Sequence, residues 1–322
     1  MTRRIDISYK TIIFIVFFLI LLWIIFQILD ILLLFFVAFI FMSALAPLVD
    51  QLTKRKIPRV VATLLVFFTT LLALVGLLTF GLTPLVTETI SLSQRLSEAI
   101  GSLLQTNFID QSIIKEELSN WSGQFVNITF SAFQNIISMV SILVITIYMM
   151  LDRAKIENYA TSFFTNRQEQ ARRILRSIED KLGAWLRGQV ILSLAVAILV
   201  YIGLLILGIE AALPLAIIAG FLEVVPVIGP IIAAIPAVLL ALTVSPVLAG
   251  IVAGLYFAIQ EVEGHVLVPQ IMKKAVGLNP LLVILAILIG GRLLGIGGAL
   301  LAVPLAVVIQ IILQEFLKPK EE

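Results

Sequence analysis

Read for polarity, the chain is a series of long apolar blocks parted by short charged ones. Residues 11–29 and 31–47 are two such blocks, separated by Asp30. Further blocks cover about 60–82, 129–150, 188–207 and 247–264, and two more, at 211–243 and 279–317, are interrupted by proline and glycine. A transmembrane helix needs roughly 17–25 residues, so each unbroken block predicts one span, the first two paired as a tight hairpin. Transmembrane strands would alternate apolar and polar residues, which these blocks do not. Helices satisfy their own backbone groups in lipid. The expected fold is therefore an all-α polytopic membrane protein of about eight transmembrane helices. Two of its elements are Pro/Gly-broken hairpins, either crossing or re-entrant, arranged as an inverted repeat.

Charge fixes the orientation of these blocks. Segment 50–59 holds four basic residues and one acid, and 152–187 holds eight against five. Segment 83–128 holds two basic residues against five acids. Basic loops stay inside, so both termini, 50–59 and 152–187 are expected in the cytoplasm and 83–128 outside. This divides the chain into scaffold spans at 1–83, an outer segment at 84–128, a fourth span with a cytoplasmic helix at 129–187, and a transport unit at 188–317. The transport unit itself splits into repeats 188–245 and 247–317. Ala171, Ile174, Leu175, Ile178, Leu182 and Trp185 recur at helical spacing, which predicts an amphipathic helix leading into the fifth span. Ile113, Leu118, Trp121 and Phe125 suggest another outside, and Asn127-Ile128-Thr129 forms a sequon by pattern.

Composition narrows the function classes. Hydrophobic residues make up 61% and charged residues only 13%, where soluble domains carry about a quarter charged. The net charge of +2 leaves no basic stripe for nucleic acid. There is no cysteine, and His265 is the one histidine, so neither a thiolate nor a histidine-cluster metal site is expected, and no cofactor. No G-x-x-x-x-G-K-[ST] loop and no nucleophile arrangement points to an ATP-driven pump or an intramembrane enzyme. The apolar run from Thr11 to Ala46 far exceeds the 7–15 residues of a signal core, so it reads as two uncleaved spans.

The interrupted blocks carry the chemistry. "GFLEVVPVIGP" (220–230) leads into "GPIIAAIPAVLLAL", and a later stretch reads "GGALLAVPLAVVIQ" (297–310). In each, a proline lies seven residues after a glycine, Gly229 to Pro236 and Gly297 to Pro304, and Ala234 matches Ala302. A charge precedes each turn, Glu223 and Arg292, and each unit opens near a proline, Pro214 and Pro280. With the orientation above, the two hairpins enter from opposite faces, the pattern of inverted repeats that build a substrate site at the midplane. Proline removes a backbone donor and glycine permits tight turns, so the tips would present free carbonyls and amides to a polar solute. The plainer alternative is a pair of ordinary spans kinked by Pro and Gly. A charge at the bilayer centre costs about 2.5–3.5 kcal/mol, so Glu223 and Arg292 are expected to share a wet cavity, to pair, or to snorkel to an interface. Glu261 and Glu263 are two apart and face different ways on a helix. Glu263, Gly264 and His265 form a candidate proton-relay cluster.

The stretches "EVVPVIGPIIAAIPAVLLAL" and "VEGHVLVPQIMKKAVGLNPLLVILAILIGGRLLGIGGALLAVPLA" resemble the autoinducer-2 exporter family of bacterial membrane proteins. "AFIFMSALAPLVDQLTKRKIPRVVATLLV" and "YMMLDR" are similar to that family's earlier segments, so the resemblance covers nearly the whole chain. By position it implies functional roles for Pro226, Gly229 and Pro230 at the first turn, for Glu263 and Pro269, for Asn279 and Pro280, and for Gly290, Gly291, Gly295 and Gly297 at the second turn. Arg292 departs from the family pattern. The resemblance also implies a homo-oligomer in the bacterial cytoplasmic (inner) membrane that moves small solutes. Two functions are expected on that frame. The first is a secondary transporter exporting a small polar metabolite such as autoinducer-2 by alternating access. The alternative is a Na⁺(Li⁺)/H⁺ antiporter using Glu223, Glu261 and Glu263. The partners are then the solute or ion and the lipid bilayer.

Overall fold

The computed structural model describes residues 9–73, 75–76, 136–226, 228–272, 277 and 279–317. Segment 83–128, expected outside, with its expected amphipathic helix and the sequon at Asn127, lies outside the described residues. Among the described residues the protein is all-helical. Five helices are long and apolar enough to cross a membrane: Tyr9–Gln27, Leu29–Lys54, Gln168–Ile206, Pro246–Ile271 and Leu281–Glu315.

The first two are α1 (Tyr9–Gln27) and α2 (Leu29–Lys54). The expected N-terminal hairpin does not form. Helical bonds run through the junction, with Ile28 N–H donating to the Ile24 carbonyl (3.1 Å) and Leu32 N–H to that of Ile28 (3.0 Å). None of α1's residues is buried, so α1 does not pack back along α2. The physical reason is local. Neither glycine nor proline stands between the blocks, so nothing interrupts the helical bonds, and Asp30 is carried on the exposed side of the continuous helix. α2 does turn at its other end, where Lys56 adopts a positive φ of 68° and Pro58 precedes α3 (Arg59–Ala73).

After α4 (Ile136–Leu151) and α5 (Arg153–Ser162) comes α6 (Gln168–Ile206), 39 residues in one helix. The expected cytoplasmic amphipathic helix and the fifth span are thus continuous. α6 ends in a Schellman motif: Gly208 takes φ 71°, its N–H bonds the Leu205 carbonyl (3.1 Å), and Ile209 N–H bonds that of Leu204 (3.0 Å).

α7 (Ala212–Leu222) and α8 (Ile228–Val244) form the first hairpin. α9 (Pro246–Val262) follows, capped by Ser245, whose Oγ accepts from Leu248 N–H at 3.1 Å. Its end runs into a π turn, Glu263–Leu267, and a last α turn, Val268–Ile271. α10 (Pro280–Leu317) is broken at Gly295, with φ 62° and ψ −144°. A straight helix would set Gly290 and Gly298 about 12 Å apart along its axis. Here a Cβ on either would run into the other's backbone carbonyl. The chain therefore doubles back at Gly295, and α10 is the second hairpin.

Three apolar cores result. The C-terminal half of α6 packs with α7, α8 and α9 through Val196, Val200, Leu215, Ala233, Ala237 and Val252. The N-terminal half of α6 packs with α2 and both legs of α10 through Leu182, Trp185, Ile40, Ile287, Val303 and Val307. α2, α3 and α4 make the third core around Met42, Val49, Ala62 and Met150. α6 and α2 are the two helices shared between cores, so they set where the hairpins sit.

The first leg of each hairpin is short. At 1.5 Å per residue, α7 extends about 16 Å and Pro280–Leu294 about 22 Å. A hydrocarbon core is about 30 Å thick, so neither leg crosses it on length alone.

Candidate functional site

Glu223 caps α7 at the tip of the first hairpin and is 0% exposed. Its backbone carbonyl accepts a hydrogen bond from Gln189 Nε2 of α6 at 2.8 Å, and Gln189 is itself buried. This bond replaces a ladder partner lost where α7 stops. The chain turns through Val224, Val225 and Pro226, then re-enters helix, with Ile228 N–H on the Pro226 carbonyl (2.8 Å) and Gly229 N–H on that of Val225 (2.9 Å). Gly229 is the close-approach residue of this tip, because a Cβ there would strike the Leu222 carbonyl. Pro230 lies in the first turn of α8.

Glu263 comes from the other side. It is 5% exposed and opens the π turn. The extra residue of a π turn shifts helical phase, and such turns concentrate at functional sites. The carboxyls of Glu223 and Glu263 meet within hydrogen-bonding range. Gln260 Nε2 donates to Glu263 Oε2 at 3.1 Å. Neither carboxylate oxygen of Glu223 has a hydrogen-bond donor among the described residues. The Ser193 hydroxyl, one turn beyond Gln189 on α6, and the Tyr256 hydroxyl, two turns before Glu263 on α9, are also buried without a partner among the described residues.

The other residues singled out from sequence fall elsewhere. Glu261 is exposed, and His265 pairs with it at 3.4 Å from Nδ1 to Oε2, so Glu261 and Glu263 do face different ways. That pairing leaves His265 on the exposed side of the helix, apart from the buried carboxyls. Asn279 is exposed, and its Oδ1 accepts from Leu281 N–H at 2.9 Å. It is a helix cap, with Pro280 as the first residue of α10. Gly291 packs beside Ala299, and Gly297 meets nothing. Arg292 is exposed, so the expected Glu223–Arg292 pair does not form. The reason is depth: Glu223 sits wholly inside the protein while Arg292 lies on its surface. The structure thus brings together Glu223 and Glu263, with Pro226, Gly229 and Pro230 shaping the tip. The second hairpin approaches through packing alone, since Val225 of the first tip joins the core that holds Ile287, Ala302 and Val303.

Sequence reasoning missed Gln189, Ser193, Tyr256 and Gln260. Each is a polar side chain inside an apolar block. The i, i+4 spacing of Gln189 and Ser193 was the available signal, since it puts both on one helix face.

A second polar region lies where α2, α5 and α6 meet. Arg153 binds Asp50 at 3.2 Å and Glu179 at 2.6 Å. Arg59 Nη2 donates to the Met150 carbonyl at 3.1 Å, and Arg187 Nη1 to those of Ser43 and Ala44. A cavity of about 280 Å³ is lined there by Asp50, Lys54, Arg153, Glu179 and Arg187 among others. Segments 50–59 and 152–187 are therefore in direct contact and share one end of the bundle.

Comparison with known proteins identifies a transporter family. The family model described as AI-2E family transporter matches residues 12–318. Over 148 residues the chain is 36% identical to YrrI of Bacillus subtilis, covering 46% of this chain and 42% of that one. It is 32% identical over 280 residues to a relative from Mycobacterium tuberculosis, 81% of this chain and 76% of the relative. It is 27% identical over 299 residues to the AI-2 transport protein TqsA of Escherichia coli K12, 87% of this chain and 85% of that one.

Proposed function

We propose, from the premise that this chain belongs to the AI-2E family of transporters, that it is a secondary transporter exporting a small polar metabolite such as autoinducer-2 by alternating access. The observation that carries this reading is Glu223: a fully buried carboxylate at the tip of a broken hairpin, facing a second buried carboxylate on a π turn. A protein does not bury such groups among apolar helices for stability, because an unpaired buried charge is costly. Intramembrane acids that face the protein interior mark solute and ion pathways. The relative named an AI-2 transport protein supplies the cargo class.

The moving part in this reading is the unit 188–317, working against a scaffold built from 1–150. The second core is the sliding surface, because among the described residues it alone joins α2 to both legs of α10. The contact between 50–59 and 152–187 supports their common cytoplasmic placement in a bacterial inner membrane. The wholly exposed, apolar α1 supports further cover by lipid or by a second copy of the chain.

The test is export. Liposomes holding the purified chain are loaded with autoinducer-2, and release is followed by a bioluminescence reporter. Release above that from empty liposomes is the expected result. Equal release from both sinks the cargo assignment.

A further inference from the structure

We propose that Glu223 and Glu263 form a single-proton site that latches the tip of the first hairpin to the π turn of α9, and that this proton is the coupling ion. The coupling part rests on the transport reading above, whereas the site itself does not. Two ionised carboxylates are acceptors only. Here two of them meet, one completely buried and the other nearly so, and the buried one has no other donor among the described residues. The contact is attractive only if one carboxyl carries a proton and donates it to the other. The pair then has one negative charge and one O–H···O⁻ bond, among the stronger hydrogen bonds in proteins.

The surroundings fit a proton better than a fixed countercharge. Neither glutamate has an ion-pair partner among the described residues. From α6, Gln189 spends its amide on the Glu223 carbonyl, and Ser193 lies one turn on. From α9, Gln260 donates to Glu263, and Tyr256 lies two turns back. The remaining charged groups of the neighbourhood are turned away. Glu261 and His265 pair with each other on the exposed side, Arg187 is held by α2 carbonyls, and Arg292 of α10 is exposed.

The device has two states. With the proton present, the O–H of one glutamate donates to the other, and α7, α8 and α9 are locked at the tip. When the proton passes to water, both carboxylates are ionised and repel in a low-dielectric setting. The tip is then released from the π turn. Hairpin position and proton occupancy are linked, and by reciprocity whatever moves the hairpin also moves the proton.

Infrared difference spectroscopy of the full chain in lipid nanodiscs, titrated with acid and base, reads the site directly. The expected result is a protonated-carboxyl C=O band at neutral pH that is lost in E223Q and again in E263Q, because a glutamine supplies the donor that the proton otherwise provides. E261Q should leave the band in place. Size-exclusion profiles and melting temperatures establish that the variants are folded, and the double variant E223Q/E263Q serves if one single variant is not. A band unchanged by both single variants, or removed by E261Q, overturns the proposal.

The coupling arm uses autoinducer-2 release from liposomes with and without an imposed pH gradient. Wild-type release should respond to the gradient, and E223Q and E263Q should lose that response. Release that responds in E223Q and E263Q as in the wild type overturns the coupling role. A glutamate-dependent band with no autoinducer-2 release upholds the proton site and sinks the cargo reading. Release without such a band does the reverse.

Discussion

The two hairpins share a plan and differ in what fills the tip. In both, a short leg enters, a glycine lets the returning leg press against the first, and a proline follows in the second leg. The first tip spreads its reversal over several residues and ends α7 on a buried carboxylate that reaches another helix. The second reverses at one glycine, Gly295, and sends its charged residue to the surface. Equivalent backbone devices therefore need not carry equivalent chemistry. The two hairpins share a backbone device, and the buried carboxylate stands at one of them.

The comparison breaks most sharply at the glycines that let the legs touch. A Cβ at Gly229 would strike the Leu222 carbonyl, and one at Gly290 or Gly298 would strike the opposite leg's carbonyl. Backbone cannot swing aside as a side chain can, so Gly229→Ala and Gly298→Ala should each cost about 3 kcal/mol, the upper end of overpacking penalties. Thermal unfolding in detergent measures this, and equal losses would show that both tips depend on close approach. Gly297→Ala is the internal control. Gly297 has open space around it and should stay near wild type.

Gly295 separates conformation from space. Nothing lies near the position a Cβ would take, but φ is 62° and ψ −144°, a region that side chains other than glycine's enter at a cost of about 1–3 kcal/mol. Gly295→Ala should lower the melting temperature by less than Gly298→Ala does. A loss as large as that of Gly298→Ala would mean that the reversal needs more than a positive φ.

How much of this was legible beforehand follows from what a one-dimensional pattern encodes. Apolar blocks, the continuous helix into the fifth span and the two interruptions could be read because length, helical periodicity and Pro/Gly chemistry act locally. The outward–inward split of Glu261 and Glu263 could be read for the same reason. The N-terminal hairpin is not legible from one charge between apolar blocks, because an exposed Asp30 without a neighbouring glycine or proline is compatible with an uninterrupted helix. The Glu223–Glu263 meeting was out of reach, since it depends on how the first hairpin folds back against α9 and on α6 bringing Gln189 to the hairpin tip. Opposite charges suggested the wrong pair, because attraction says nothing about depth. Asn279 drew attention as a site residue by resemblance, while its side chain is spent on a cap.

That cap yields a smaller test of the same comparison. Each hairpin borders a helix start fixed by one side chain: Ser245 after the first, Asn279 before the second. Replacing either with alanine leaves one helix-end N–H without its acceptor, worth about 1 kcal/mol. Ser245→Ala and Asn279→Ala should lower stability by similar amounts and leave autoinducer-2 release per folded protein unchanged. A selective loss of release in Asn279→Ala would move Asn279 from cap to cargo contact.

The smallest effect is expected at Arg292. Its exposure means that the long side chain can reach an interface or water without a protein partner, as arginines near helix ends do. It has no ion pair among the described residues, so neutralising it removes no contact and leaves no buried charge behind. Surface changes of this kind stay within about 0.5 kcal/mol. Arg292→Gln should therefore match the wild type in melting temperature and in the response of release to a pH gradient, while E223Q loses that response. If Arg292→Gln lost it too, and the combined charge swap of Glu223 and Arg292 restored it, the two tips would be electrostatically coupled in some state of the cycle. The asymmetry between a hairpin with a buried carboxylate at its tip and one without would then describe one conformation only.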